Sequence, residues 1–183
     1  MLGLQRDAAD VASTRRGSRP AEDVSERTSR QDHRFDAFRL SASHGEIAGA
    51  VAPAALERLE DRLFEGADAL PDDDAGRVDW SIRGAADGQG RPALTVSIEG
   101  RVPLQCQRCL GRLDLPVSQS TTLLLARNDA ELVQLDEASE QEVVLANAPL
   151  DAVALVEDEL LLTLPFAPRH EAPCAEAGGA DER

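Results

Sequence analysis

The sequence predicts an α+β domain: an antiparallel β-sheet, meander-like or partly barrel-like, with one helix before it and one after it. Three observations carry that prediction. Apolar residues alternate with polar ones from Val78, where Val78, Trp80 and Ile82 interleave with Asp79, Ser81 and Arg83, and Leu94, Val96 and Ile98 with Thr95, Ser97 and Glu99. On either side the apolar spacing turns helical, as Leu56, Leu59 and Leu63 before the sheet and as Val153, Val156, Leu160 and Leu164 after it. The length of 183 residues, 42% of them hydrophobic, suits one ordinary domain with its own core and excludes two large ones.

Taken in order, residues 1–34 are rich in Ser, Arg, Asp and Ala and show no apolar period, which predicts a disordered N-terminal extension. Residues 35–174 form the single predicted domain. Phe35, Phe38 and Leu40 read as a short extended run leading to Ile47. Pro53 suits a first helical position, and the leucines that follow continue a helix as far as Gly66. The stretch from Pro71 through Asp72, Asp73 and Asp74 to Gly76 reads as a loop. Asp87-Gly88-Gln89-Gly90 turns the first hairpin, and Val102–Gln105, Leu113–Val117 and Thr121–Ala126 add extended segments, with Gly111 and Pro116 opposing long helices. Leu132–Leu135 and Val143–Leu145 are short strand candidates separated by an acidic loop over 136–142. Asp151 is a suitable N-cap for a last helix that Pro165 stops, and residues 175–183 are expected to be a disordered tail.

The formal net charge is −15 and the isoelectric point near 4.5, which argues against a protein that coats nucleic acid with uniform positive charge. Every basic side chain other than histidine is Arg. Seven of them lie in residues 77–127 against four acids, whereas 128–183 hold two against fourteen. The sheet region, with Arg101, Arg108 and Arg112, is therefore either a solvated face of chance composition or a local polyanion-facing surface, since guanidinium forks suit phosphate. Glu157, Asp158 and Glu159 read first as the solvated face of the last helix. No run of apolar residues is long enough for a membrane span, and the N-terminal residues lack a secretory h-region, so a soluble, cytoplasmic protein is expected.

Three cysteines are too few for a disulfide framework in a chain of this length and fit a reducing compartment. Cys106-Gln107-Arg108-Cys109-Leu110-Gly111 follows an extended segment directly. Two thiolates at that spacing converge on one ion, and Gly111 offers the positive φ that closes such a turn. His170 and Cys174 add an imidazole and a third thiolate, so that Cys106, Cys109, His170 and Cys174 compose a Cys₃His set of the structural-zinc kind. A reduced thiol cluster without metal and a redox pair are the other readings. The redox reading lacks the helix N-terminus that activates a Cys-x-x-Cys thiol. No P-loop, dinucleotide fingerprint, nucleophile elbow or His-Glu-x-x-His motif occurs, and His33 and His44 fall in leader and loop, so an enzyme is not expected.

The run Leu104-Gln105-Cys106-Gln107-Arg108-Cys109, the segment from Leu150 through Val156-Glu157-Asp158-Glu159-Leu160 to Leu164-Pro165, and Pro168-Arg169-His170 followed by Cys174 together resemble the YceD-like family. Bacterial members of that family are called large ribosomal RNA subunit accumulation proteins. The resemblance implies a non-enzymatic role in synthesis, processing or stability of large-subunit (23S) ribosomal RNA, and hence in ribosome biogenesis. Its partner would be that RNA or its precursor particle, reached directly or through a ribosomal protein, with no membrane and no small-molecule substrate. Cys106, Arg108 and Cys109 match the family's knuckle, and Glu157, Asp158, Glu159 and Pro165 its helix. The leader is longer than expected, and the basic tail with an Asn-Pro-Phe-like motif is not seen before Arg183. Three functional expectations follow: an assembly factor that turns Arg101, Arg108 and Arg112 toward ribosomal RNA; an acidic adaptor that holds a basic ribosomal protein through Glu157, Asp158 and Glu159; or a small zinc-stapled or redox protein unrelated to ribosomes.

Overall fold

A computed structural model describes residues 33–65, 76–171 and 174. Almost all of the expected leader, most of the 71–76 loop and the expected tail lie outside the described residues. His33 and Arg34, expected in the leader, belong to the described fold. Arg34–Phe35 is strand β1, and the His33 ring meets Trp80 edge-on with centroids 6.2 Å apart.

The first helix is α1, Ala37–Ser43, where an extended run is expected. Asp36 caps it by accepting from the Arg39 N–H at 2.9 Å, and His44 closes it in the left-handed region at φ 49°. Its buried positions are the small residues Ala37 and Ser41, which carry no hydrophobic signal in the sequence. The Ser41 hydroxyl donates to the Ala85 carbonyl at 2.7 Å and accepts from the Ala93 N–H at 3.3 Å, so the helix is fastened to the sheet by a polar atom. Gly84 makes room for this approach. A Cβ there would stand 2.0 Å from the Leu40 carbonyl oxygen.

After β2, Glu46–Val51, the expected leucine helix is instead two 3₁₀ turns, Pro53–Ala55 and Glu57–Arg62, separated at the extended residue Leu56. The spacing of three between Leu56 and Leu59 satisfies both helix types. Full burial of both side chains and an antiparallel bridge from Leu63 to Leu104 select the tighter one.

Strands β3 (Arg77–Ala86), β4 (Pro92–Gln105) and β5 (Arg112–Ala126) absorb the shorter extended segments read from sequence. Pro116 is tolerated because β6 pairs with β5 only at Leu124–Ala126, leaving Pro116 on an edge. The expected strand at Leu132–Leu135 is a helix, α2, Asp129–Ala138. Asn128 caps it by accepting from the Glu131 N–H at 2.9 Å, and none of its residues is buried, so no helical apolar period could betray it. This helix makes the crossover that lets β6, Val143–Leu145, run parallel to β5.

The five-stranded sheet has order β2-β3-β4-β5-β6, mixed at its last pair, and it stays open, so the barrel-like alternative falls away. Strand β7, Leu150–Asp151, pairs with β1 and leads into α3, Ala152–Thr163, capped by Asp151 as the sequence predicts. The core lies between one sheet face and the covering elements: Val78, Ile82, Val96 and Val102 meet Leu56, Leu59, Val156 and Leu160. Among the described residues no helix is long and apolar enough to cross a membrane.

Candidate metal centre

The turn between β4 and β5 is the cysteine knuckle. Cys106 closes it by donating its N–H to the Gly111 carbonyl at 2.9 Å and accepting from the Leu110 N–H at 2.9 Å. The residue with positive φ is Leu110, at 58°, rather than the expected Gly111, and its side chain is turned to solvent.

Beyond α3 the chain returns to this knuckle as an arm. The Gln107 N–H donates to the Pro168 carbonyl at 2.8 Å, and His170 Nε2 lies 2.9 Å from the Arg112 carbonyl oxygen. A carbonyl only accepts, so Nε2 carries the proton and Nδ1 presents its lone pair. That lone pair meets sulfur: His170 Nδ1 is 3.6 Å from Cys109 Sγ and 3.5 Å from Cys174 Sγ, while Cys106 Sγ and Cys174 Sγ are 3.8 Å apart. The four donor atoms all lie within 4.8 Å of one another.

Three of the six separations, at 3.8, 3.6 and 3.5 Å, are compatible with the edges of a zinc tetrahedron. Zinc–sulfur bonds of about 2.3 Å and zinc–nitrogen bonds of about 2.0–2.1 Å require S···S edges of about 3.8 Å and S···N edges of about 3.6 Å. The donor set, the edge lengths and the carbonyl-fixed histidine tautomer fit a closed structural site.

The electrostatics favour the thiolate at two of the three cysteines, Cys106 and Cys174. Burial pushes the Cys106 thiol up, but hydrogen bonds from the backbone of Cys109, Arg108 and His170 outweigh it and bring the group down to about 5. Burial also opposes ionisation of Cys174, yet the Arg108 guanidinium and His170 hold that thiol below its ordinary value. The Gly111 backbone favours the Cys109 thiolate, while Cys174, burial and Cys106 together leave that thiol raised, as expected where several sulfurs compete for one charge. Contact with Cys174 and with the Arg112 carbonyl raises His170.

The model of the family described as large ribosomal RNA subunit accumulation protein YceD matches residues 94–182, from β4 through the arm. Over this stretch the chain is similar to the YceD family. No solved structure matches the chain. The family match takes in the knuckle, both arm ligands and the acidic residues of α3.

The three arginines expected on one surface have different surroundings. Arg108 donates from Nε to Cys174 Sγ at 3.0 Å and from a terminal nitrogen to the His170 carbonyl at 3.4 Å, so part of its guanidinium serves the Cys/His cluster. Arg112 pairs with Asp114 at 2.8 Å. Arg101 is exposed. Register puts Arg101 and Arg112 on the solvent face of the sheet, since Arg101 faces Pro116 and Arg112 faces Gln105. The same parity adds Arg77, paired with Asp79, and Arg83, paired with Glu46. The sequence could place these two only once the register of β3 on β4 was known.

The acidic triplet is not one solvated face. Glu157 is buried and accepts from the Arg58 N–H at 2.7 Å, capping the second 3₁₀ turn. Glu159 is only 4% exposed and is raised above the ordinary carboxyl range, first by burial and further by Glu142 and Asp158. Asp158 alone faces outward, in an ion pair with Arg58. Consecutive helical positions are about 100° apart, so three in a row cannot share one face.

Proposed function

We propose that the protein is a non-enzymatic factor in ribosome biogenesis that acts in the cytoplasm on the synthesis, processing or stability of 23S ribosomal RNA. The family match over residues 94–182 carries this reading, because the family's description names accumulation of large-subunit ribosomal RNA. The Cys106, Cys109, His170 and Cys174 set holds one structural zinc that staples the arm to the β4–β5 hairpin, a role supported by the tetrahedral edge lengths. Bound zinc supplies cross-linking and charge balance there, with no position left open for a substrate. The solvent face with Arg101 and Arg112 is the side turned toward RNA or its precursor particle, a local attraction that a strongly anionic body permits only at short range. Arg108 spends part of its guanidinium on Cys174 and contributes less to that face. Glu157 lies buried and accepts from the Arg58 N–H, so it is not offered to a partner as the adaptor reading of the whole triplet requires.

Depletion of the protein should lower mature large-subunit RNA relative to small-subunit RNA. Re-expression of the wild type should restore the ratio, and Cys109→Ser should not. Equal levels of the two RNAs after depletion would overturn the reading. Native mass spectrometry of untagged protein should give one zinc per chain, lost in Cys109→Ser; an apo mass after zinc-replete purification would overturn the metal assignment. Arg101→Glu with Arg112→Glu should weaken co-sedimentation with precursor particles, and ultraviolet crosslinking to protein without RNA would reject direct contact.

A further inference from the structure

Away from the metal centre, a groove of about 310 Å³ runs between α3 and the terminal strand β6. Its apolar walls include Val143 and Val144 from β6 and Leu155, Leu161 and Leu162 from α3. Three carboxylates, Glu142, Asp158 and Glu159, also line it, against the single cation Arg58. Arg58 is already spent on Asp158. Glu159, 4% exposed and hydrogen-bonded by Thr121, therefore sits in a largely apolar groove where Glu142 and Asp158 oppose its charge. The apolar surface continues outward at Leu162, 69% exposed, and Phe166 just past the helix end is 94% exposed.

We propose that this groove receives a segment of a partner protein in which an Arg or Lys is flanked by apolar residues, the cation seating against Glu159 and the apolar flanks against β6 and Leu162. Charge selects this occupant. Phosphate would be repelled by the three acids, and a second copy of this chain would bring two acidic rims together. An arriving cation offsets the repulsion of Glu159 by Glu142 and Asp158, a gain set against the cation's own desolvation. Aliphatic flanks separate this from non-specific attraction to a chain of net charge −15. The site shares no residue with the zinc or RNA readings, so its failure leaves them standing, and theirs leaves it.

The test uses the full, zinc-loaded chain and two acetylated, amidated probes of equal charge: a heptapeptide alternating Leu and Arg, and one alternating Ser and Arg. Affinities come from fluorescence anisotropy and the site from amide chemical-shift changes. The Leu–Arg peptide should bind at least tenfold tighter than the Ser–Arg peptide and shift residues of β6 and α3. Glu159→Gln and the exposed-site variant Leu162→Ser should each weaken it at least fivefold while leaving zinc content and helix content unchanged. Equal affinity for the two peptides, shifts confined to other faces, or indifference to both substitutions would overturn the proposal. So would a tenfold gain on deleting residues 1–32, which would make the chain's own leader the occupant, or displacement of the peptide by an RNA oligonucleotide with loss of the same shifts.

Discussion

Replacing Arg108 by Gln separates two roles that its sequence position leaves joined. A centre with three thiolates, one neutral imidazole and a divalent zinc carries a net charge of about −1. The Arg108 Nε at 3.0 Å from Cys174 Sγ is placed to offset that charge, and its second contact reaches the His170 carbonyl at a weaker 3.4 Å. Loss of such an outer partner typically costs about 10–100-fold in metal affinity. Arg108→Gln should therefore weaken zinc by that factor in a competition titration against a chromophoric chelator. Arg108→Lys should fall between, keeping the charge without the planar fork, and Arg101→Gln, remote from the sulfurs, should not change it. Unaltered zinc affinity in Arg108→Gln, together with reduced association with precursor particles, would refute the clamp and return Arg108 to the RNA face.

Gly84→Ala places a methyl 2.0 Å from the Leu40 carbonyl oxygen and 2.8 Å from Ser41 Cα, both backbone atoms that cannot swing aside. It should cost about 3 kcal/mol in chemical denaturation, at the upper end for overpacking, and a cost below 1 kcal/mol would contradict the close approach of α1. Leu110→Gly should raise stability by about 0.5–1 kcal/mol, since it removes a side chain exposed at φ 58°. Glu159 has a folded-state pKa above its unfolded one, so the native state binds its proton more tightly, and stability falls as pH rises from the unfolded value of about 4.3 through the raised one. Glu159→Gln should accordingly raise the urea midpoint at neutral pH and lose that advantage below about pH 4, as read by paired denaturation curves. A variant less stable than the wild type at pH 7 would show that Thr121 stabilises the carboxylate more than burial penalises it.

What was legible in the sequence was the part written in apolar spacing. The alternation from Val78 to Ile98 and the Asp151-capped last helix both appear as predicted, because each buries one continuous apolar face. The elements misread are those whose burial is not carried by large apolar residues. Helix α1 is held by Ala37 and the Ser41 hydroxyl, and α2 buries nothing, so its evidence lay in the Asn128 cap. The 3₁₀ turns share the i, i+3 spacing of an α-helix, and only the context of Leu56 and Leu59 distinguishes them. The four metal-ligand candidates were readable from residue type alone, because Cys and His have few other reasons to cluster. The partners of Arg108, Glu157 and Glu159 were not, since each depends on an element more than 35 residues away or on the register of the sheet.

The arm after Pro165 explains why a domain with a complete core would also hold a metal. From 165 to 171 only Pro168 is buried. Fixing the backbone of these seven residues costs about 1–2 kcal/mol each, hence about 7–14 kcal/mol. The hydrogen bonds that join the arm to the knuckle, Gln107 N–H to the Pro168 carbonyl and His170 Nε2–H to the Arg112 carbonyl, contribute about 1 kcal/mol each and fall short of that cost. About 5–12 kcal/mol remains, which the proposed structural zinc, at about 10–16 kcal/mol, would cover. The proposed zinc would therefore serve the arm and not the sheet: Cys106 and Cys109 are ordered by the β4–β5 hairpin without it, whereas His170 and Cys174 are carried on a segment with little burial of its own.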